Sequence, residues 1–152
     1  MEKKRSTKKK ITLLQAVEKV ITLTEDSKLD KKILQKAKEV GLETSIDLVS
    51  ENSDRYSLVQ PCLPYTDYLI VNELEAGKLA GMEPTEENLE GICRKLMALG
   101  VQKKVIIHMP ERSVCLSEKG YSSLGSYILP EGYIQGTTGA GDAFCAGALI
   151  GI

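Results

Sequence analysis

The chain is poor in the features that mark several large protein classes. No stretch approaches the roughly 18 consecutive apolar residues that a membrane-spanning helix needs, so a soluble protein without a membrane partner is expected. The formal net charge is only −1, which provides no global attraction to nucleic acid or to an anionic surface. The four cysteines, Cys62, Cys93, Cys115 and Cys145, form no Cys-x-x-Cys pair and have no histidine placed to complete a zinc site. Free, partly buried thiols in a reducing cytoplasm are expected instead. There is a single histidine, His108, and a lone imidazole at a strand end suits a hydrogen-bonded structural role. Internal repeats and low-complexity linkers are absent, which excludes an array of small modules.

At 152 residues and 42% hydrophobic, the chain is long enough to bury one sizeable core. Its one strongly biased stretch is N-terminal, where Lys3, Lys4, Arg5, Lys8, Lys9 and Lys10 crowd together. The run lacks interleaved aromatics and no apolar signal core follows it, so residues 1–10 read as a solvated, disordered arm and residues 11–152 as the domain.

Within that domain, helical and strand periodicities alternate. Ile11, Leu14, Val17 and Ile21 recur at helical spacing, as do Leu29, Ile33, Ala37 and Val40 before Gly41. Strands are expected at residues 44–49, 68–71 and 104–109. A short apolar helix-like piece should reach Val59, and helices should cover residues 74–80 and, capped by Thr85, the run carrying Leu89, Ile92, Leu96 and Leu99. Residues 114–116 and 121–124 flank Glu118-Lys119-Gly120, a hairpin signal, and residues 133–135 look strand-like. The pattern predicts an α/β fold with three layers, α/β/α, built on a mainly parallel sheet whose ligands bind beyond the carboxyl ends of the strands.

One string carries the chemistry: Gly-Thr-Thr-Gly-Ala-Gly-Asp-Ala-Phe-Cys-Ala-Gly-Ala at residues 136–148. Gly136, Gly139 and Gly141 allow close backbone approach, and Asp142 falls in the first turn of a helix. First-turn N–H groups have no intrahelical acceptors and carry partial positive charge, so they suit a phosphate. A carboxylate beside them suits a base that takes a proton from an attacking hydroxyl. A tight turn with Asp142 favoured by the helix dipole would use the same residues. A second string, Asp-Tyr-Leu-Ile-Val-Asn-Glu-Leu-Glu-Ala-Gly at residues 67–77, reads as a buried strand running into a helix. Asn72 and Glu75 there have the spacing of a capping box.

Together the two strings resemble the phosphofructokinase-B/ribokinase family of carbohydrate kinases, over about residues 29–152. The resemblance implies that Asp142 is the catalytic base and that Gly139, Ala140, Gly141 and Asp142 supply the anion hole. It also implies that Asn72 and Glu75 organise Mg2+ and the phosphates of ATP, with a carbohydrate or nucleoside-like hydroxyl as acceptor. Asp47, in Ser-Ile-Asp at residues 45–47, resembles an aspartate that points to the phosphate region, although it also suits a turn. Thr137, His108 and Glu111 are further candidates. Departures from the family pattern are Gly136 where many members carry Asp, and His108, Pro110 and Ser113 where many carry Thr, Gly and Gly.

The expected activity is therefore ATP-dependent phosphoryl transfer to a carbohydrate, in an incomplete ribokinase-like fold. The alternative is a truncated or degenerate relative, inactive alone, that binds nucleotide or a partner chain. A dinucleotide-binding oxidoreductase fits less well, because its glycine loop should follow the first strand and here it comes last. Uncovered sheet edges would favour a homo-oligomer.

Overall fold

The computed structural model describes residues 27–48 and 55–152; the basic run and the periodic segment at residues 11–21 lie outside them. Helix α1 (Ser27–Glu39) ends where the pattern predicts, with Gly41 at φ 77° and the Leu42 N–H donating to the Ala37 carbonyl. The chain continues through β1 (Ser45–Asp47), a 3-10 stretch (Arg55–Tyr65), β2 (Tyr68–Asn72), α2 (Glu73–Ala80), a 3-10 turn (Glu86–Asn88) and α3 (Leu89–Ala98). Strands β3 (Lys104–His108), β4 (Arg112–Ser117) and β5 (Gly120–Gly125) follow, and α4 (Ala140–Ile150) comes last. No helix among the described residues is long and apolar enough to cross a membrane.

The five strands lie in one sheet in the order β1-β2-β3-β4-β5. The first three are parallel, and β3, β4 and β5 form an antiparallel meander, so the sheet is mixed. The parallel part follows from its residues: β2 is the apolar run Tyr-Leu-Ile-Val, buried on both faces, as a central parallel strand must be. One face carries Ile46, Leu69, Val71, Val105, Ile107, Val114 and Leu116 into a core with Leu79, Leu89, Ile92 and Leu96 of α2 and α3. Each aliphatic side chain fully buried there contributes about 1.5–3 kcal/mol. The other face meets α4, where the Cys145 thiol stands near Asp47 and Phe144 lies against His108. These are the three layers expected.

Three local expectations are corrected. The apolar piece expected to end at Val59 instead runs on to Tyr65 and winds as a 3-10 stretch, because Pro61 and Pro64 remove donors that an α-helix needs. Thr85 makes no side-chain cap bond, and α3 begins only at Leu89, after the 3-10 turn. Gly100 ends the following turn at φ 124°, where an added Cβ would sit 2.8 Å from Pro64, so glycine alone fits between these segments. Residues 133–135 form no strand: no neighbouring strand pairs with them, and Tyr133 and Ile134 are exposed.

Candidate functional site

Each parallel strand ends on a polar side chain at the same edge of the sheet: β1 on Asp47, β2 on Asn72 and β3 on His108. Period-two alternation directs all three to the face opposite the core, and Asn72 and His108 are direct register partners. Helix α4 brings Gly141 and Asp142 against them. The result is an open cleft of about 200 Å³ lined by Asp47, Leu48, Asn72, Glu75, His108, Gly141 and Asp142. Of the residues singled out in the sequence, it gathers Asp47, Asn72, Glu75, His108, Gly141 and Asp142. Thr137 lies in the loop before α4 and Glu111 in the turn between β3 and β4, both exposed and outside the lining.

Asn72 and Glu75 form the capping box that their spacing allows. The Glu75 N–H donates to Asn72 Oδ1 at 2.9 Å, and the Asn72 N–H donates to Glu75 Oε2 at 3.0 Å. The exchange fixes both side chains at the start of α2 and keeps the buried Glu75 carboxylate oriented. At α4, Gly139 takes φ 79° at the N-cap, a conformation open to glycine and costly for residues with a Cβ. No side chain caps this helix; the Ala140 N–H donates to the Thr137 carbonyl at 3.0 Å, and the first-turn amides of Gly141 and Asp142 follow it. The helix start therefore presents positive partial charge toward the cleft.

Asp47 sits in an unfavourable electrostatic position. Burial against α4 raises its pKa above the usual 3.8, and the nearby Asp142 carboxylate adds to this, outweighing the charge of His108, the Leu48 N–H and the Cys145 thiol. By surface area Asp47 is nevertheless exposed, so solvent screens the penalty and keeps it small. Cys145 is held as the thiol, its pKa pushed up to about 11 by burial and by the two aspartates. The sequence reading expected a free, partly buried thiol here but gave it no place beside the site; it stands three residues after Asp142, on the same side of α4. The sign of the Asp47 shift gives a prediction. A raised folded pKa means a destabilising contribution that is present above the folded value and vanishes as pH falls below 3.8. Asp47→Asn should melt higher than the wild type at neutral pH and alike below 3.8; equal midpoints at neutral pH would refute the strained carboxylate.

All four cysteines are free thiols. Among the described residues no three His, Cys, Asp or Glu side chains converge as a metal cage.

The family model for pfkB family carbohydrate kinases matches residues 3–152, which takes the similarity beyond the segment carrying the motifs. The adenosine kinase of Saccharomyces cerevisiae is 33% identical over 95 residues, 59% of this chain and 28% of that protein. An Arabidopsis thaliana ribokinase is 35% identical over 86 residues, 55% of this chain and 22% of that protein. The solved structure of Arabidopsis thaliana ribokinase with ribose and ATP superposes with a TM-score of 0.65 at 25% identity, over 80% of this chain and 38% of the ribokinase. The chain thus spans well under half the length of these relatives. A parallel-strand edge that gathers Asn72, Glu75 and the Gly-Ala-Gly-Asp helix start, under a match across nearly its whole length, makes this chain a member of the pfkB family of carbohydrate kinases.

Proposed function

We propose that this chain carries the phosphoryl-transfer corner of an ATP-dependent kinase acting on a hydroxyl of a carbohydrate or nucleoside. The observation that carries the reading is the convergence of Asp142 with Asn72 and Glu75 in one cleft, from segments far apart in sequence. In this reading Asp142 accepts the proton of the acceptor hydroxyl as that oxygen bonds to the γ-phosphorus and the bond to the β-phosphate oxygen breaks. The amides of Gly141 and Asp142, which follow the Ala140 N–H committed to the Thr137 carbonyl, hold the charge that develops on the transferring group at the glycine turn begun by Gly139. Gly141 leaves the backbone bare for that approach.

Magnesium fits the donor set, which is hard oxygen from Asn72, Glu75 and the aspartates. Because the described residues build no closed cage, phosphate oxygens would complete its shell, the usual arrangement for this ion. Bound with the nucleotide, it would supply charge neutralisation for the phosphates. Asn72 and Glu75, fixed by their mutual hydrogen bonds, hold that side of the cleft without rearrangement.

The second reading, a nucleotide- or partner-binding module without turnover of its own, is favoured by one observation: no residue of α4 is buried. A thermal melt of the 152-residue chain with and without saturating MgATP tests the shared premise. Ligand at a hundred times its Kd adds about 2.7 kcal/mol, roughly 5–10 °C for a domain of this size. A melt unmoved by MgATP would reject the nucleotide site in both readings. A shift without phosphorylation of ribose or adenosine would favour the second.

A further inference from the structure

The cleft is built for an anion from unsuitable charges. Its lining contains three acidic side chains, Asp47, Glu75 and Asp142, and neither lysine nor arginine. A polyphosphate entering it meets carboxylates from β1, α2 and α4, against which stand the start of α4 and a single imidazole, that of His108. We propose that His108 is a phosphate-binding residue of this cleft, donating an imidazole N–H to the anion held at the α4 start. The proposal rests on the kinase reading above and deepens it.

Three observations support the assignment. His108 is the last residue of β3, half-buried at the edge where the parallel strands end, opposite Asn72 in register. Its Nε2 and Cε1 edge faces the α4 start, 3.9 and 3.6 Å from the point a Cβ on Gly141 would occupy, so the ring and the first-turn amides border the same space. The ring is also held in place, with its centroid 4.8 Å from that of Phe144 at 34°. A ring packed against its neighbour has fewer rotamers to lose on binding. The residue that departs most in chemistry from the family pattern at this strand end is therefore the one basic group in the lining, beside the first turn of α4.

The contact is tested with inorganic tripolyphosphate and magnesium as the probe, which needs no adenine pocket. His108→Phe keeps a ring against Phe144 and removes both nitrogens. Calorimetric titration of wild type and variant should show tripolyphosphate affinity falling about tenfold, the weight of one hydrogen bond to a charged group, while the unliganded melt stays within a degree or two. MgATP should weaken by a similar factor. A Phe variant that binds tripolyphosphate as tightly as the wild type overturns the proposal. If that variant does not melt cooperatively, His108→Ala is judged by the same titration and the same outcomes. A wild type that binds neither tripolyphosphate nor MgATP rejects the kinase reading itself, a result distinct from loss of the His108 contact alone.

Discussion

Asp142→Asn is expected to lower phosphoryl transfer to a carbohydrate or nucleoside acceptor by at least 10²–10⁴-fold, roughly the range a positioned general base supplies. Asparagine has the same shape and cannot take a proton, so the loss should fall on kcat. Affinity for MgATP should hold or rise slightly, because the first-turn amides remain and one negative charge facing the phosphates is gone. The place of Asp142 in α4 makes this separation clean. The residue is exposed on the cleft side and no residue of the helix is fully buried, so the substitution disturbs no core packing. Parallel loss of turnover and binding would instead make Asp142 a determinant of the site's shape and remove it as the base.

The second large effect lies at the opposite edge of the sheet. Asp67 precedes β2, and its side chain is 1% exposed. Lys38 of α1 reaches both carboxylate oxygens at 2.7 Å, the Thr44 N–H donates to Oδ2 at 2.9 Å, and Lys103 stands 3.9 Å away before β3. One carboxylate therefore ties α1, the entry to β1 and the entry to β3. Burial alone would raise its pKa, but the Lys38 bonds and charge together with Thr44 outweigh burial and hold it below 3.8. Asp67→Asn should cost about 2–3 kcal/mol, less than for a pair buried on both sides because Lys38 can turn toward water, and so lower Tm by roughly 5–10 °C.

The pH dependence has the reverse sign to that of Asp47. A depressed folded pKa stabilises fully above the unfolded value of 3.8 and is lost as pH falls through the folded one. Wild type and variant should thus converge in acid. A variant with unchanged Tm at neutral pH would show that backbone pairing, such as the Lys104 N–H to the Asp67 carbonyl, already fixes this corner without the charge.

Much of the architecture was written locally. The unbroken apolar run of β2, the Asn72 and Glu75 spacing, Gly41 as a helix stop and the hairpin across Lys119 each depend on residues within one turn of each other. Such signals survive without knowledge of the rest of the chain. The glycine-rich helix start was equally legible, because positive φ at Gly139 is a local demand.

Other features were decided by neighbours. Residues 133–135 have strand-forming side chains but form no strand, since a strand exists only through a partner that its own residues do not name. The Asp67 cluster draws on α1, β1 and β3. Asp47 and His108 were ambiguous in isolation, as a turn residue and a structural imidazole. They meet Asp142 because β1, β2 and β3 run parallel and end together beneath α4. By itself the sequence determined most of the helices and strands and which turn can receive an anion, because these follow from periodicity and backbone freedom. Only the tertiary structure decided which carboxylates and which imidazole share that anion's space, because the order of strands in a sheet sets distances between residues that no local spacing encodes.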